Sequence, residues 1–350
     1  MEYAKGDAIF ASSFVLMTIT MNPNMKIVGL GNALADVLTP IRSDRVLETL
    51  TFERGGMYLV DHAKHVEIAR RTAGVERTIV SGGSAANTVR GLARLGLESA
   101  YIGKVGEDEV GRFLEEEFRE YGVTPFLLHA STPTGRCMVL VSSDGERTMA
   151  TYLGAAVELT DDDLLPSFYS GYDLLHIEGY LVQNHALIAG AIRKARKAGL
   201  KVSLDMASFN VVEENLEFLQ GLVAEGVDIL FANEEEARSF TGREPADAVR
   251  EMARMCEVAI VKIGDKGSLV AAGETVYSVA ARPADVVDTT GAGDLYASGF
   301  LFGLSRELPL ETCGRIGSLV AAEVIAEVGP AIPEEKWPGI RQRMADILHP

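Results

Sequence analysis

Cysteine is scarce in this 350-residue chain: Cys137, Cys256 and Cys313 are far apart, odd in number and form no CxxC pair. Neither a disulfide framework nor a thiolate zinc site is expected, and a reducing cytoplasm fits this usage. Basic charge is short as well. With 33 Lys and Arg against 50 Asp and Glu the net charge is −17, which leaves no broad positive surface for a polynucleotide or an anionic membrane. Neither is expected as a partner. No apolar run reaches the ~18 residues that a membrane span needs. The one candidate, Ala8 to Met21, follows MEYAKGD, which lacks the positive charge of a signal peptide. Residues 1–24 are read as a poorly ordered N-terminal extension, with Met21 or Met25 as the natural start.

Two phosphate-binding patterns are also missing. No GxxxxGK[ST] occurs, so a P-loop is excluded. Gly29-Leu30-Gly31-Asn32-Ala33-Leu34 begins like GxGxxG but has Leu34 where the third glycine is required for close helix packing. A dinucleotide-dependent oxidoreductase is thereby disfavoured. The six histidines include one close pair, His62 and His65, without further metal-ligand spacing, so packing or surface roles are expected for them.

What remains is an ordinary globular balance, 47% hydrophobic and 24% charged, able to bury a full core. The length suits about two domains, or one large α/β domain with an insertion. Continuous apolar runs at 27–30, 100–105, 174–177, 202–205, 229–232 and 258–263 predict strands covered on both faces. Between them, apolar spacing of three and four residues predicts helices over 84–95, 110–121, 185–198 and 248–256. This alternation predicts an α/β fold with a doubly wound, mainly parallel sheet flanked by helices. Residues 36–60 and 136–153 break the rhythm with alternating segments and turn signals, among them the hairpin dipeptide Asp144-Gly145. They predict antiparallel strands outside the main sheet, forming a small β-rich lid on a single domain over residues 25–350.

The strongest chemical signal is DTTGAGDLYASGFLFGL, residues 288–304. Gly291 and Gly293 free the backbone ahead of an apolar helix, so unpaired amides and the positive helix end gather there as an anion nest. Asp294 follows at once. A carboxylate beside an anion site costs energy by repulsion, which makes sense for a general base that deprotonates an attacking hydroxyl. The same residues also suit a tight turn with a dipole-complementing carboxylate. A second cluster, Ser81-Gly82-Gly83-Ser84-Ala85-Ala86-Asn87, precedes the 84–95 helix. Bare backbone at the glycines and the amide of Asn87 suit a polyhydroxylated ligand. Asn32 and Asp36 follow the first strand, where open α/β sheets place ligands. Each of these residues equally suits a cap or a turn. Met57-Tyr58 suits either a purine contact or packing.

GNxxxD, GGxxxN and DTTGAGD in that order resemble the PfkB, or ribokinase-like, family of carbohydrate and nucleoside kinases. The similarity runs from about Met25 onward and includes both family signatures, at Ser81 to Gly111 and Asp288 to Gly303. Within the family, GNALADVL, GGSAANT and GERTMATYLGAA are most similar to adenosine kinases and their bacterial relatives.

The resemblance implies a ribokinase-like fold and an ATP- and Mg²⁺-dependent kinase acting on the primary hydroxyl of a ribose-containing substrate. Adenosine to AMP comes first, then a free sugar of the ribose or fructose type, or another nucleoside. It implies Asp294 as catalytic base and the backbone of Gly291, Ala292 and Gly293 as the anion hole. Asn32, Asp36, Gly82, Gly83 and Asn87 would hold the sugar hydroxyls. Arg147, in the lid, would reach the phosphates or the substrate on closure. Asn233 and Glu236 match an NxxE element that organises Mg²⁺ through water. Lys262, Gly264 and Gly267 fall where the family shapes the site for the ATP base and ribose. Asp288 and Thr290 match a monovalent-cation site, for K⁺, found in many members. By their chemistry alone, Lys262 and Arg147 are equally ordinary solvated charges, and Glu234 to Glu236 an acidic helix start. A small-molecule partner is implied, with monomer and homodimer both compatible with a free lid edge. A non-catalytic nucleoside or nucleotide sensor is the alternative from another class; binding alone gives no reason for a base beside the nest.

Overall fold

Six apolar runs form the middle of a nine-stranded sheet in the structure, a computed structural model that describes residues 25–348 except residue 144. The expected N-terminal extension, Asp144 of the hairpin dipeptide and His349 lie outside the described residues. In chain order the strands are β1 (Ile27–Leu30), β2 (Leu34–Pro40), β3 (Met57–Leu59), β4 (Thr78–Ser81), β5 (Ser99–Gly106), β6 (Val123–Ala130) and β7 (Thr134–Val141). There follow β8 (Arg147–Gly154), β9 (Leu174–Glu178), β10 (Lys201–Asp205), β11 (Ile229–Asn233), β12 (Val258–Lys262), β13 (Ser268–Ala272) and β14 (Thr275–Val279).

The large sheet runs β14-β13-β12-β11-β10-β9-β1-β5-β6, parallel from β12 to β6. Helices cover both faces, and the apolar runs supply two separate cores. Strands β13 and β14 add an antiparallel hairpin at one edge. The sequence reading missed three strands of this sheet. β6 carries Pro125 and a half-exposed pattern, both compatible with its place at an edge. The hairpin strands are short and follow β12 with no intervening α-helix, only the 3-10 turn Gly264–Lys266. The helix expected over 248–256 instead spans Pro245–Met252, because Pro245 supplies a preset first turn.

The second sheet has the order β3-β8-β7-β2-β4. Its first segment reaches from β2 to β4, longer than the 36–60 expected, and includes the helices Arg45–Leu50 and His62–Arg71. Its strands were expected to be antiparallel, and that holds for β2–β4 and β7–β8 only. The pairs β2–β7 and β3–β8 are parallel. The reason for the first is that β2 leaves the carboxyl end of β1 and β7 leaves that of β6, so both set out from one end of the large sheet. His62 and His65 pack edgewise and tilted against the Tyr152 ring, with centroids 5.4 and 5.5 Å away.

The chain enters at β1, moves to β5 and β6 on one side, then returns to β9 on the other side of β1. The carboxyl ends of β1 and β9 therefore form the switch point where an open α/β sheet leaves a crevice for ligands.

Candidate active site

At that crevice Asn32 follows β1 and Glu178 ends β9. Glu178 Oε1 accepts from Asn32 N at 2.9 Å and Asn32 Nδ2 at 2.8 Å, while Oε2 accepts from Ala85 N at 3.2 Å. The carboxyl is buried, and loss of water pushes it up to about 7 against the three donors that hold it down. Glu178 thus ties the loop after β1 to the first turn of the Ser84–Arg94 helix. The sequence reading did not single it out, because it closes an apolar strand with no motif around it. The signal lay in Gly31, where a Cβ would collide with this carboxylate.

Gly82 and Gly83 lead into the Ser84–Arg94 helix, and Gly83 caps it at φ 93°. A Cβ on Gly82 would collide with the Asp36 carboxylate, so this glycine makes room for Asp36. Asp36 is buried, and its side chain has no hydrogen bond or ion pair among the described residues. Burial pushes its carboxyl up to about 7, and the more distant charges of Arg90 and Arg147 only partly offset this. A buried carboxylate without a partner is costly, which marks a position awaiting a hydrogen-bond donor.

The Ala292–Ser305 helix begins at Gly291, whose φ of 77° makes the turn into it. Asp294 sits in its first turn. Its Oδ1 accepts from Ser84 Oγ at 2.7 Å and its Oδ2 from Asn87 Nδ2 at 2.8 Å. Burial pushes the Asp294 carboxyl up to about 6, and the bonds from Asn87 and Ser84 restrain the rise. Asn87 is itself fixed from behind, because its Oδ1 accepts from Arg90. Gly91 and Ser298 let the two helices touch, and Ser298 Oγ donates to Thr88 O at 2.8 Å. This contact places Ser84 and Asn87 opposite Asp294.

Lys262, expected near the ATP base and ribose, turns its side chain towards Asp205 and Gly293. Its Nζ pairs with Asp205 Oδ2 at 2.8 Å and lies 2.9 Å from where a Cβ of Gly293 would be. It faces the amino end of the Ala292–Ser305 helix. A cation at the positive end of a helix dipole is unfavourable by itself. Together with the unbonded amides of Gly291 and Gly293 it makes a recess for an anion, whereas Ala292 N donates to Thr289 O at 3.2 Å. Asp205, which anchors Lys262 from the carboxyl end of β10, was also missed, since it too ends an apolar strand. Gly264 sits at φ 59° with nothing near its missing Cβ, whereas Gly267 is needed by the hairpin itself: a Cβ there would strike Val279 O.

Asn233 and Glu236 close a capping box at the start of the Glu234–Thr241 helix, with Asn233 N to Glu236 Oε2 and Asn233 Nδ2 to Glu236 Oε1 both 2.7 Å. Glu236 is buried, and burial followed by the charge of Asp205 pushes it up to about 7. No group of three metal-ligating side chains occurs among the described residues. This donor set fits Mg²⁺ carried chiefly by phosphates and water.

It does not fit a monovalent cation at Asp288. Asp288 Oδ1 accepts from Thr290 N at 3.1 Å and Thr290 Oγ1 at 2.8 Å, Oδ2 accepts from Gly329 N at 2.6 Å, and Arg147 Nη2 forms an ion pair with Oδ2 at 2.5 Å. The side-chain oxygens of Asp288 are thus occupied by protein groups. Arg147, from β8 of the small sheet, also donates from Nη1 to Thr290 Oγ1 at 3.1 Å.

A cavity of about 510 Å³ opens beside Asn32. Its walls are apolar at Leu153, Val157 and Leu181 and polar at Tyr180, Gln183 and His185. None of these had been singled out as a ligand contact, since they come from four separate elements: Leu153 from β8, Val157 from the turn after it, Tyr180, Leu181 and Gln183 from the short 3-10 helix after β9, and His185 from the start of the next helix.

A family model described as pfkB family carbohydrate kinase matches residues 59–337. Among solved structures, a probable sugar kinase from Rhizobium etli is 33% identical with a TM-score of 0.83, over 93% of this chain and 99% of its own. The adenosine kinase from Sinorhizobium meliloti is 34% identical with a TM-score of 0.83, over 91% of this chain and 99% of its own. An uncharacterised sugar kinase of Archaeoglobus fulgidus is 32% identical over 241 residues, 68% of this chain and 96% of its own. The doubly wound sheet is thus a ribokinase-like fold.

Proposed function

The chain belongs to the PfkB family of carbohydrate kinases, and from that premise we propose that it phosphorylates the primary hydroxyl of a ribose-containing nucleoside with ATP, adenosine first. The observation that carries this reading is the position of Asp294: at the lip of a positive recess and across the crevice from an unpartnered Asp36.

Phosphoryl transfer depends on positioning and charge stabilisation more than on covalent chemistry. In the proposed reaction Asp36, Asn32 and Asn87 grip the ribose hydroxyls, with Gly82 and Gly83 offering bare backbone beneath the ring. Ser84 and Asn87 hold the Asp294 carboxylate towards the primary hydroxyl. Asp294 takes that hydroxyl's proton. The hydroxyl oxygen bonds to the γ-phosphorus as the bond from phosphorus to the β–γ bridging oxygen breaks, and ADP leaves. The amides of Gly291 and Gly293, with Lys262 facing them, stabilise the charge on the transferring group, and Ala292 N joins them on releasing Thr289 O. When bound, Mg²⁺ supplies charge neutralisation of the phosphates, held through water by Glu236. Gly264 borders the nucleotide's base and ribose.

The cavity beside Asn32 supports a nucleoside over a free sugar. Its apolar walls at Leu153, Val157 and Leu181 suit a heterocyclic base, and Gln183 and His185 supply donors and acceptors for its edge. A free sugar would leave those walls wet.

The test is a phosphorylation screen of nucleosides and free sugars with ATP, ranked by kcat/KM. Highest turnover with a nucleoside is expected. A free sugar at the head of the ranking would move the assignment within the family. Tight nucleoside binding without ATP consumption would replace the kinase with a sensor.

A further inference from the structure

We propose that the guanidinium of Arg147 is the built-in counterion of Asp288, so that this protein neither binds nor needs a monovalent cation at the loop entering the anion nest. An ionised carboxylate has about four acceptor directions. At Asp288 three are used by hydrogen bonds from Thr290 N, Thr290 Oγ1 and Gly329 N, and the Arg147 guanidinium, ion-paired 2.5 Å from Oδ2, covers the remaining side. An alkali ion would have to displace one of these donors.

Three of those donors belong to neighbouring backbone or to Thr290. Arg147 alone brings charge, and it comes from the small sheet. The pair is sheltered, with side chains 14% and 8% exposed, so bulk salt screens it weakly. A second cation within a few ångströms of the guanidinium would be repelled. Thr290 Oγ1 completes the link by donating to Asp288 and accepting from Arg147.

The consequence goes beyond a missing ion. A free cation reaches the loop from solvent, independent of the small sheet. Arg147 can neutralise Asp288 only while β8 lies against the loop that starts the Ala292–Ser305 helix. Order in the nest is therefore tied to the position of the small sheet. The inference rests on the kinase reading for the purpose of the loop, but the ion pair itself does not.

The experiment compares the wild-type protein in KCl and in choline chloride at equal ionic strength, by melting temperature and, where turnover is found, by kcat. Equal values in the two salts are expected. A melting temperature or kcat that rises specifically with K⁺ overturns the proposal. Arg147→Gln keeps the length and removes the charge; leaving a buried carboxylate without its counterion lowers the melting temperature by about 5 °C or more. Adding Asp288→Asn to that variant recovers part of the fall. An Arg147→Gln protein that melts with the wild type overturns the proposal as well. Should that variant not fold, the two-salt comparison on wild type still decides. Absence of turnover on every substrate would fail the kinase reading and leave the melting comparison intact.

Discussion

Asn87 donates from Nδ2 to Asp294 Oδ2 at 2.8 Å across a sequence separation of 207 residues. The bond joins the two glycine-led helices of the site, and it has a purpose on each side. It restrains the rise that burial imposes on Asp294, and it aims the carboxylate. Asn87 itself cannot turn away, because its oxygen accepts from Arg90, which also reaches Ser81 O at 3.1 Å. The group proposed to move the proton is therefore held from two helices that are brought together only by the fold.

Asp294→Asn keeps the shape and both donors' neighbour while removing the proton acceptor. The expected outcome is a kcat at least ~10²-fold lower with folding intact, since loss of a general base costs about 10²–10⁴. Circular dichroism and steady-state kinetics check it, and near-normal turnover would remove Asp294 from the reaction.

The pH dependence follows with a definite sign. A base works only when ionised, and burial raises Asp294 to about 6 and Asp36 to about 7. Because the two carboxyls interact, the titration belongs to the pair. The profile of kcat/KM should be flat at alkaline pH and fall on acidification through the range from about 7 to 6. An acid limb near 4, the range of ordinary carboxylates, would contradict the burial seen at both groups.

Asp36→Asn separates binding from stability. The folded-state value of about 7 lies above the ordinary 3.8, so the folded protein holds this proton more tightly than the unfolded chain does. Ionised Asp36 then costs stability fully above about pH 7, and the cost vanishes below about 3.8. Its upper bound is ~4 kcal/mol from the size of the shift. Asparagine removes that charge, so the variant should melt higher than wild type at pH 8 and alike near pH 4, while KM for the substrate rises. A variant less stable at pH 8 would show that Asp36 has a structural partner.

Much of this site was legible because its parts announce themselves locally. DTTGAGD and SGGSAAN place small residues next to a helix start, and helix ends gather anions by geometry that a sequence displays. The six central strands were legible for a similar reason: burial on both faces leaves continuous apolar runs such as IVGL and ILFA. What escaped was what the fold alone assembles. Glu178 and Asp205 are single acidic residues at strand ends, and only the order of strands in the sheet reveals that they meet Asn32 and Lys262. The motif VKIGDKGS marks Lys262 but does not show that its side chain turns back towards Gly293 and pairs with Asp205. The small sheet was sensed as a break in rhythm, whereas its parallel pairs β2–β7 and β3–β8 follow from where each segment leaves the large sheet.

Gly293→Ala tests whether the facing lysine takes part in the chemistry. The backbone at 293 has no left-handed angle that would demand glycine, and alanine favours helices over glycine by up to about 1 kcal/mol. Stability should therefore hold or rise. The new methyl, however, would stand 2.9 Å from Lys262 Nζ, closer than a methyl and an ammonium approach. The side chain that yields is the flexible lysine, which must swing away from the recess and strain its 2.8 Å pair with Asp205. A shift of this kind in a group that stabilises the transferring charge should lower kcat on the order of tenfold or more. Differential scanning fluorimetry alongside kinetics resolves the matter: a protein that melts no lower than wild type yet turns over more slowly supports the role given to Lys262, and equal turnover assigns that lysine to Asp205 alone.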